Sequence, residues 1–177
     1  APLLDASGSM SLATVVENDG DPAGDRIAVL IASAGGNRIT DPDAGALEGI
    51  AVTGLDNSNG TWQYSLSGVA PWTVFGTVSD AAATLLAADA ATRVRFVPDA
   101  GFGGAVSGGI TFRAWDRSSG ANGNTGANVA INGAGTAFSS ASESADILVS
   151  DLDTDATLSA APGINEPVGL PSTAASA

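Results

Sequence analysis

Short runs of apolar residues alternate with clusters of glycine, aspartate, asparagine and serine along most of this chain. The runs are enriched in β-branched and aromatic residues, as strands of a half-buried sheet usually are. The pattern predicts eight strands, at residues 11–16, 26–32, 49–54, 61–67, 72–77, 92–98, 110–115 and 145–149. Because no helices alternate with these strands, we expect an all-β fold built as an antiparallel sandwich.

Apolar and polar residues also alternate within the strands. Trp62, Tyr64 and Leu66 point to one face of their strand, since side chains of a strand alternate between its two faces. The same argument directs Val94 and Phe96 inward, together with Ile110, Phe112 and Ala114. The arginines between these residues are therefore predicted to lie on the solvent face, and core packing is favoured for the aromatic residues over a carbohydrate-binding platform.

Three segments depart from the strand pattern. Residues 80–91 are rich in alanine and predict a short helical turn with Asp80 as its N-cap. Residues 118–135 are mostly glycine, asparagine and alanine, and predict a long loop too poor in apolar surface to pack. The Asn59-Gly60 pair predicts a hairpin turn, because both residues tolerate left-handed backbone geometry.

The composition excludes several classes of enzyme. The chain has no cysteine, histidine or lysine, so zinc sites built from cysteine or histidine, thiol nucleophiles, Ser-His-Asp triads and lysine Schiff bases are all ruled out. Isopeptide cross-links that start from lysine are ruled out too. The four glutamates are scattered over loops without a carboxylate pair in an aromatic cleft, and a non-enzymatic role is therefore favoured.

Nineteen acidic residues against six arginines give a net charge of −13, and fifteen of the acids are aspartate. This charge repels phosphate backbones and anionic lipids, so neither nucleic acid nor a membrane is an expected partner. Hard divalent cations such as Ca²⁺ are suitable partners, because they bind carboxylate and carbonyl oxygens on flexible loops. The alternative is that the acids serve solubility alone.

Two acidic loops stand out as candidate cation sites. Asp41 and Asp43 alternate through a turn that Gly45 allows to bend sharply, although a simple turn with a capping aspartate explains the same residues. Asp151, Asp153 and Asp155 would place three carboxylates on one side of an extended segment, where a cation would relieve their repulsion.

The chain divides near residue 150. Residues 1–150 are expected to form one sandwich module, and residues 151–177 an acidic linker followed by the start of another repeat or by an exchanged strand. The segments 12–20 and 158–169 are loosely similar, which supports a tandem repeat.

Several blocks of the chain carry a family resemblance. They read ITDPDAG at 39–45, EGIAVTG at 48–54, NGTWQYS at 59–65, RVRFVPDAGFGG at 93–104 and ITFRAWD at 110–116. Over about residues 1–151 they resemble the cadherin-like and immunoglobulin-like tandem repeats of giant bacterial surface adhesins of the repeat-in-toxin type. The resemblance implies calcium between modules, held by Glu17 with Asn18, by the loop of Asp41 and Asp43, and by Asp116.

These observations lead to one functional hypothesis and two alternatives. The chain is expected to be a non-catalytic, calcium-stiffened spacer or cell-adhesion module, secreted or on a bacterial surface, with neighbouring modules as partners. One alternative is a module that binds a glycan or protein ligand through the 118–135 loop and an exposed tryptophan. The other is self-association, in which the tail at 156–177 adds a strand to a second copy.

Overall fold

The computed structural model of this chain describes residues 1–151. Within that range it contains twelve strands and one short helix. The strands are β1 (Leu3–Leu4), β2 (Met10–Ser11), β3 (Val15–Val16), β4 (Asp25–Arg26), β5 (Ile39–Thr40), β6 (Gly49–Leu55), β7 (Gly60–Ser65), β8 (Thr73–Val74), β9 (Thr84–Ala87), β10 (Arg93–Pro98), β11 (Gly104–Trp115) and β12 (Phe138–Ser150), and the helix is α1 (Ile27–Ala32). The predicted all-β class is confirmed, while residues 152–177 lie outside the described part.

The strands form two main sheets. One has six strands, in the order β2-β12-β11-β6-β9 with β3 also paired to β12, and the other has four, in the order β4-β10-β7-β8. Strands β1 and β5 pair separately. Most pairs are antiparallel as predicted, but β2 and β3 run parallel to β12, so the expected all-antiparallel arrangement is wrong at this edge.

Side chains from both main sheets share one hydrophobic core. Strands β7 and β10 contribute Trp62, Tyr64, Val94 and Phe96, while the six-stranded sheet contributes residues such as Ile50, Phe112 and Ile147. The rings of Trp62 and Phe96 lie 5.1 Å apart. The predicted inward faces are thus confirmed except at Leu66, which is 43% exposed because β7 ends at Ser65.

The strand predicted at residues 26–32 is wrong over most of its length, because Ile27–Ala32 forms α1. A run of apolar residues does not by itself distinguish a strand from a short helix. The buried residues Ile27, Leu30 and Ile31 have helical spacing, and they fill the core while Val29 remains half-exposed. Among residues 1–151, no helix is long and apolar enough to cross a membrane.

A second, smaller core lies on the outer face of the six-stranded sheet. Trp115 points away from the main core, as strand alternation requires, yet it is fully buried. The long loop between β11 and β12 covers it and contributes the fully buried Val129. The prediction that residues 118–135 cannot pack is therefore wrong, because a few small apolar residues suffice once the sheet supplies a large aromatic surface.

This loop also explains why the helical turn predicted at residues 80–91 is wrong. Thr84–Ala87 forms strand β9, and all four residues are buried, since the main core lies on one side and the loop on the other. The loop pairs with β9 through bonds from the Leu85 amide to the Asn124 carbonyl and from the Gly123 amide to the Leu85 carbonyl. Asp80 caps no helix; its carboxylate pairs with Arg113 at 2.9 Å.

The hairpin predicted at Asn59-Gly60 is also wrong. Strand β6 belongs to the six-stranded sheet and β7 to the four-stranded sheet, so the turn between them crosses from one sheet to the other. Neither residue has a positive φ. The turn is held by the Asp56 carboxylate, which accepts the Ser58 amide, and by the Trp62 indole, which donates to the Asp56 carbonyl at 2.9 Å.

The two ends of the six-stranded sheet carry different parts of the chain. At one end, called the Asp41 end, β6 begins at Gly49 beside the last residue of β11, Trp115, which pairs with the first residue of β12. At the other, called the Asp151 end, β12 finishes beside β3 and beside the start of β11. The thirteen residues of β12 separate the two ends by about 40 Å.

Candidate functional site

The Asp41 end contains a hollow of about 370 Å³ lined by acidic side chains. Asp41, Asp43 and Glu48 line it together with Pro2. The Asp41 carboxylate accepts the Asp43 amide at 2.8 Å, which fixes the turn, and the Glu48 carboxylate accepts from the Asn37 amide group at 2.6 Å. The structure therefore brings the two predicted aspartates together and adds Glu48, which sequence reasoning did not select.

One carboxylate oxygen of Asp41 lacks a hydrogen-bond partner within residues 1–151. Asp41 Oδ2 is buried and accepts no hydrogen bond from any residue in the described part of the chain. A buried, unpaired carboxylate oxygen is costly, and a bound cation is one of the few groups that compensates for it. Carboxylate oxygens are among the ligands that Ca²⁺ binds in proteins.

The Asp151 end places two further predicted residues side by side along the backbone. The Glu17 amide donates to the Ser150 carbonyl at 2.9 Å, so Glu17 lies next to Asp151. Gly103 is packed so closely that an added Cβ would approach Asp151 Cβ within 3.1 Å. Asn18 joins the group by accepting the Gly101 amide at 2.9 Å. Asp153 and Asp155 lie outside the described residues.

The remaining predicted ligand, Asp116, is not among the residues that line the Asp41 hollow. It follows Trp115 at the Asp41 end, and its Oδ1 accepts from the Ser118 amide at 2.8 Å and the Ser118 hydroxyl at 2.6 Å. These bonds satisfy that oxygen within the turn. Across residues 1–151, no three histidine, cysteine, aspartate or glutamate side chains are grouped closely enough to hold a metal ion by themselves.

Three other aspartates have lowered pKa values with structural causes. Hydrogen bonds from Ser7, reinforced by Arg38, lower the pKa of Asp5, and hydrogen bonds from Ser58 lower the pKa of Asp56. Partial burial opposes the shift at Asp89, but hydrogen bonds from Thr92 and Ala91 outweigh it and lower the pKa. These carboxylates hold turns as anions.

The prediction that the strand arginines face solvent is wrong for Arg95. Its side chain lies on the outer face of the four-stranded sheet but is only 7% exposed, because the segment between β3 and β4 covers it. Its guanidinium donates to Asp21 Oδ1 at 2.6 Å and to the Pro22 carbonyl at 3.0 Å. It also lies 4.1 Å from the centre of the Trp72 ring. No local sequence signal joins Arg95 to a segment more than seventy residues away.

The structure also changes the ligand-binding alternative. Trp115 is fully buried, so it presents no ring face to a glycan, whereas Trp72 is half-buried. The proposed exchange of residues 156–177 concerns residues outside the described part. Comparison of the chain with protein-family models, with curated proteins and with solved structures finds no match.

Proposed function

We propose that this chain is a non-catalytic spacer or cell-adhesion module of a secreted or surface-displayed bacterial protein, stiffened by Ca²⁺ at its ends. In this proposal the two sheets form an immunoglobulin-like or cadherin-like sandwich, and neighbouring modules are the partners. The resemblance of the sequence blocks supports the family, and the shared core of the two sheets is compatible with the fold.

The observation that carries the proposal is the path of the chain. Pro2 lies beside the Asp41 hollow, while Asp151 lies beside Glu17 at the opposite end of the six-stranded sheet. A module that the chain enters at one end and leaves at the other extends a tandem array by its full length. A module with both termini at one end would add little length, because successive copies would fold back on each other.

The acidic groups occupy those same two ends. A junction formed by the Asp151 end of one module and the Asp41 end of the next would bring several carboxylates together. Carboxylates without a counter-ion repel one another, and Ca²⁺ between them would replace the repulsion by coordination from both modules. Because, within residues 1–151, neither end holds three acids grouped closely enough to bind a metal ion by themselves, we assign the stronger site to the junction and a weaker one to the single Asp41 hollow.

Thermal unfolding of the 177-residue chain tests the calcium part of this proposal. A ligand that binds only the folded state at a concentration 100 times its Kd adds about 2.7 kcal/mol of stability. For a domain of this size that corresponds to a rise in Tm of about 5–10 °C. We expect such a rise with Ca²⁺, a smaller one with Mg²⁺, and reversal by a chelator.

The variant Asp41→Asn gives the sharper comparison. With chelator it should be as stable as the parent or more so, because the substitution removes the charge from a carboxylate whose Oδ2 is buried without a partner. With Ca²⁺ it should lose the gain in Tm. Glu143→Gln is the control of equal charge, since Glu143 lies in the middle of β12, far from both ends. Equal Ca²⁺ responses of both variants would refute the Asp41 site.

A further inference from the structure

A second hollow, of about 390 Å³, lies on the outer face of the four-stranded sheet and is distinct from both acidic ends. We call it the Trp72 hollow. Its lining includes Trp72, Val69, Arg93, Arg95, Asp21 and Pro22. Two of the six arginines of the whole chain thus meet in one place, in a molecule whose net charge is −13. The hollow combines cationic, aromatic and apolar groups, as small-molecule sites commonly do.

The floor of this hollow is rigid. Arg95 is held by Asp21 and Pro22, and also by Gln63 Oε1, which accepts from its Nε at 2.9 Å. The Trp72 ring stacks against the same guanidinium. An arginine already fixed in place loses little conformational entropy when it binds a ligand, which favours recognition over a freely rotating surface side chain.

Donors in the hollow remain unused. Within residues 1–151, Arg95 Nη2 donates to no side chain or carbonyl, and Arg93 uses only Nη1, which donates to the Gly24 carbonyl at 2.8 Å. None of these unused nitrogens is sealed from solvent. Asp21, whose side chain is 88% exposed, keeps its second carboxylate oxygen available as an acceptor.

We propose that the Trp72 hollow binds a sugar ring that carries a carboxylate, such as a uronic acid residue of an acidic glycan. The guanidinium groups of Arg93 and Arg95 would bind the carboxylate, because arginine donors match its two oxygens. The apolar face of the ring would pack on Trp72 and Val69, and a ring hydroxyl would donate to Asp21. A neutral sugar leaves the guanidinium donors unused, and a simple anion leaves the aromatic surface unused.

This site does not depend on the proposed calcium function. The hollow lies on the face of a sheet, whereas the acidic groups lie at the ends of the module. It keeps a tryptophan, Trp72, from the glycan alternative, but it does not use the 118–135 loop. Loss of calcium binding would leave the proposal intact, and loss of sugar binding would leave the spacer function intact.

Quenching of tryptophan fluorescence by acrylamide tests the proposal on the whole chain. Trp62 and Trp115 are fully buried, so the quenchable emission comes from Trp72. Sodium glucuronate should protect this emission in a saturable way, with a Kd on the order of 1 mM for a single sugar in an open hollow. Glucose and inorganic phosphate, at matched ionic strength, should protect at least about tenfold more weakly, because glucose lacks the carboxylate and phosphate lacks the sugar ring.

Two variants separate the site from a general effect of charge. Arg93→Gln should weaken the binding of glucuronate at least about tenfold. Arg26→Gln changes the net charge equally at an exposed position that does not line the hollow, and it should bind as the parent does. Urea unfolding of both variants verifies that they are folded. The proposal is overturned by the absence of saturable protection, by equal protection from glucose or phosphate, or by equal binding to the two folded variants.

Discussion

The loop between β11 and β12 provides a direct test of the packing described for this fold. Val129 is fully buried in that loop against the outer face of the six-stranded sheet, while Ile131, two residues later, is 77% exposed. The substitution Val129→Ala removes two methyl groups from a closed environment. Ile131→Ala removes a larger side chain from water and serves as the matched control within the same loop.

The expected magnitude follows from the burial of Val129. Transfer of two methyl groups into water costs about 1.6 kcal/mol at about 0.8 kcal/mol for each group, and the cavity left behind adds to that cost. We therefore expect Val129→Ala to lower the free energy of unfolding by about 1.5–3 kcal/mol. Ile131→Ala should change it by less than about 0.5 kcal/mol.

Urea unfolding followed by tryptophan fluorescence measures both changes. With a slope of about 2 kcal/mol per molar urea, the Val129→Ala midpoint should fall by about 0.7–1.5 M. Trp115 lies beneath the loop, so its emission reports the same transition. If Val129→Ala and Ile131→Ala have the same small effect, the loop does not contribute a core and the second hydrophobic cluster is wrongly assigned.

Three further predictions concern other parts of the fold. Gly60→Ala should destabilise the protein by about 1–3 kcal/mol in urea unfolding, because the added Cβ would lie 2.5 Å from atoms of β10. Gly76→Ala has open space around it and should be neutral or slightly stabilising, so equal effects would contradict the close packing of Gly60 against β10. Asn122→Ala should lower the free energy of unfolding by about 1–3 kcal/mol, because the Asn122 side chain accepts a hydrogen bond from the Ala87 amide and donates one to the Thr92 hydroxyl. The exposed Asn128→Ala should cost less in the same urea assay, and equal costs would mean that these Asn122 hydrogen bonds do not hold the loop to β9. Because the pKa of Asp89 is lowered in the folded protein, its carboxylate contributes its full stability above the unfolded pKa of about 3.9, and this contribution is lost as the pH falls through the folded pKa. Asp89→Asn should therefore make the free energy of unfolding fall less steeply at acidic pH, and an unchanged fall would contradict the lowered pKa.

Strand alternation predicts the parts of the fold in which a residue's neighbours decide its environment locally. The inward positions of β7, β10 and β11 follow from a two-residue period, because one face of each strand meets the shared core. Strand alternation cannot predict the helix at Ile27–Ala32, because an unbroken run of apolar residues has neither the two-residue period of a strand nor the 3.6-residue period of a helix. Here tertiary packing selected the helix.

The remaining differences come from segments distant in sequence. Trp115 is buried by the loop that follows it, and Arg95 by a segment more than seventy residues earlier. Strand alternation therefore predicted which face of the sheet each side chain lies on, but not that another part of the chain covers that face. The candidate cation residues show the same limit. Sequence identified the loop of Asp41 and Asp43, but the proximity of Glu48 and the unpaired oxygen of Asp41 depend on how the turn folds back towards β6.

Small-angle scattering from two tandem copies of the 177-residue chain tests whether Ca²⁺ holds neighbouring modules end to end. Each six-stranded sheet is about 40 Å long between the Asp41 and Asp151 ends, and joined modules held by Ca²⁺ should form one extended rod. We predict that Ca²⁺ increases the maximum dimension and narrows the distribution of shapes relative to chelator. A compact, side-by-side pair, or a distribution of shapes unchanged by Ca²⁺, would mean that the chain is not a calcium-stiffened spacer.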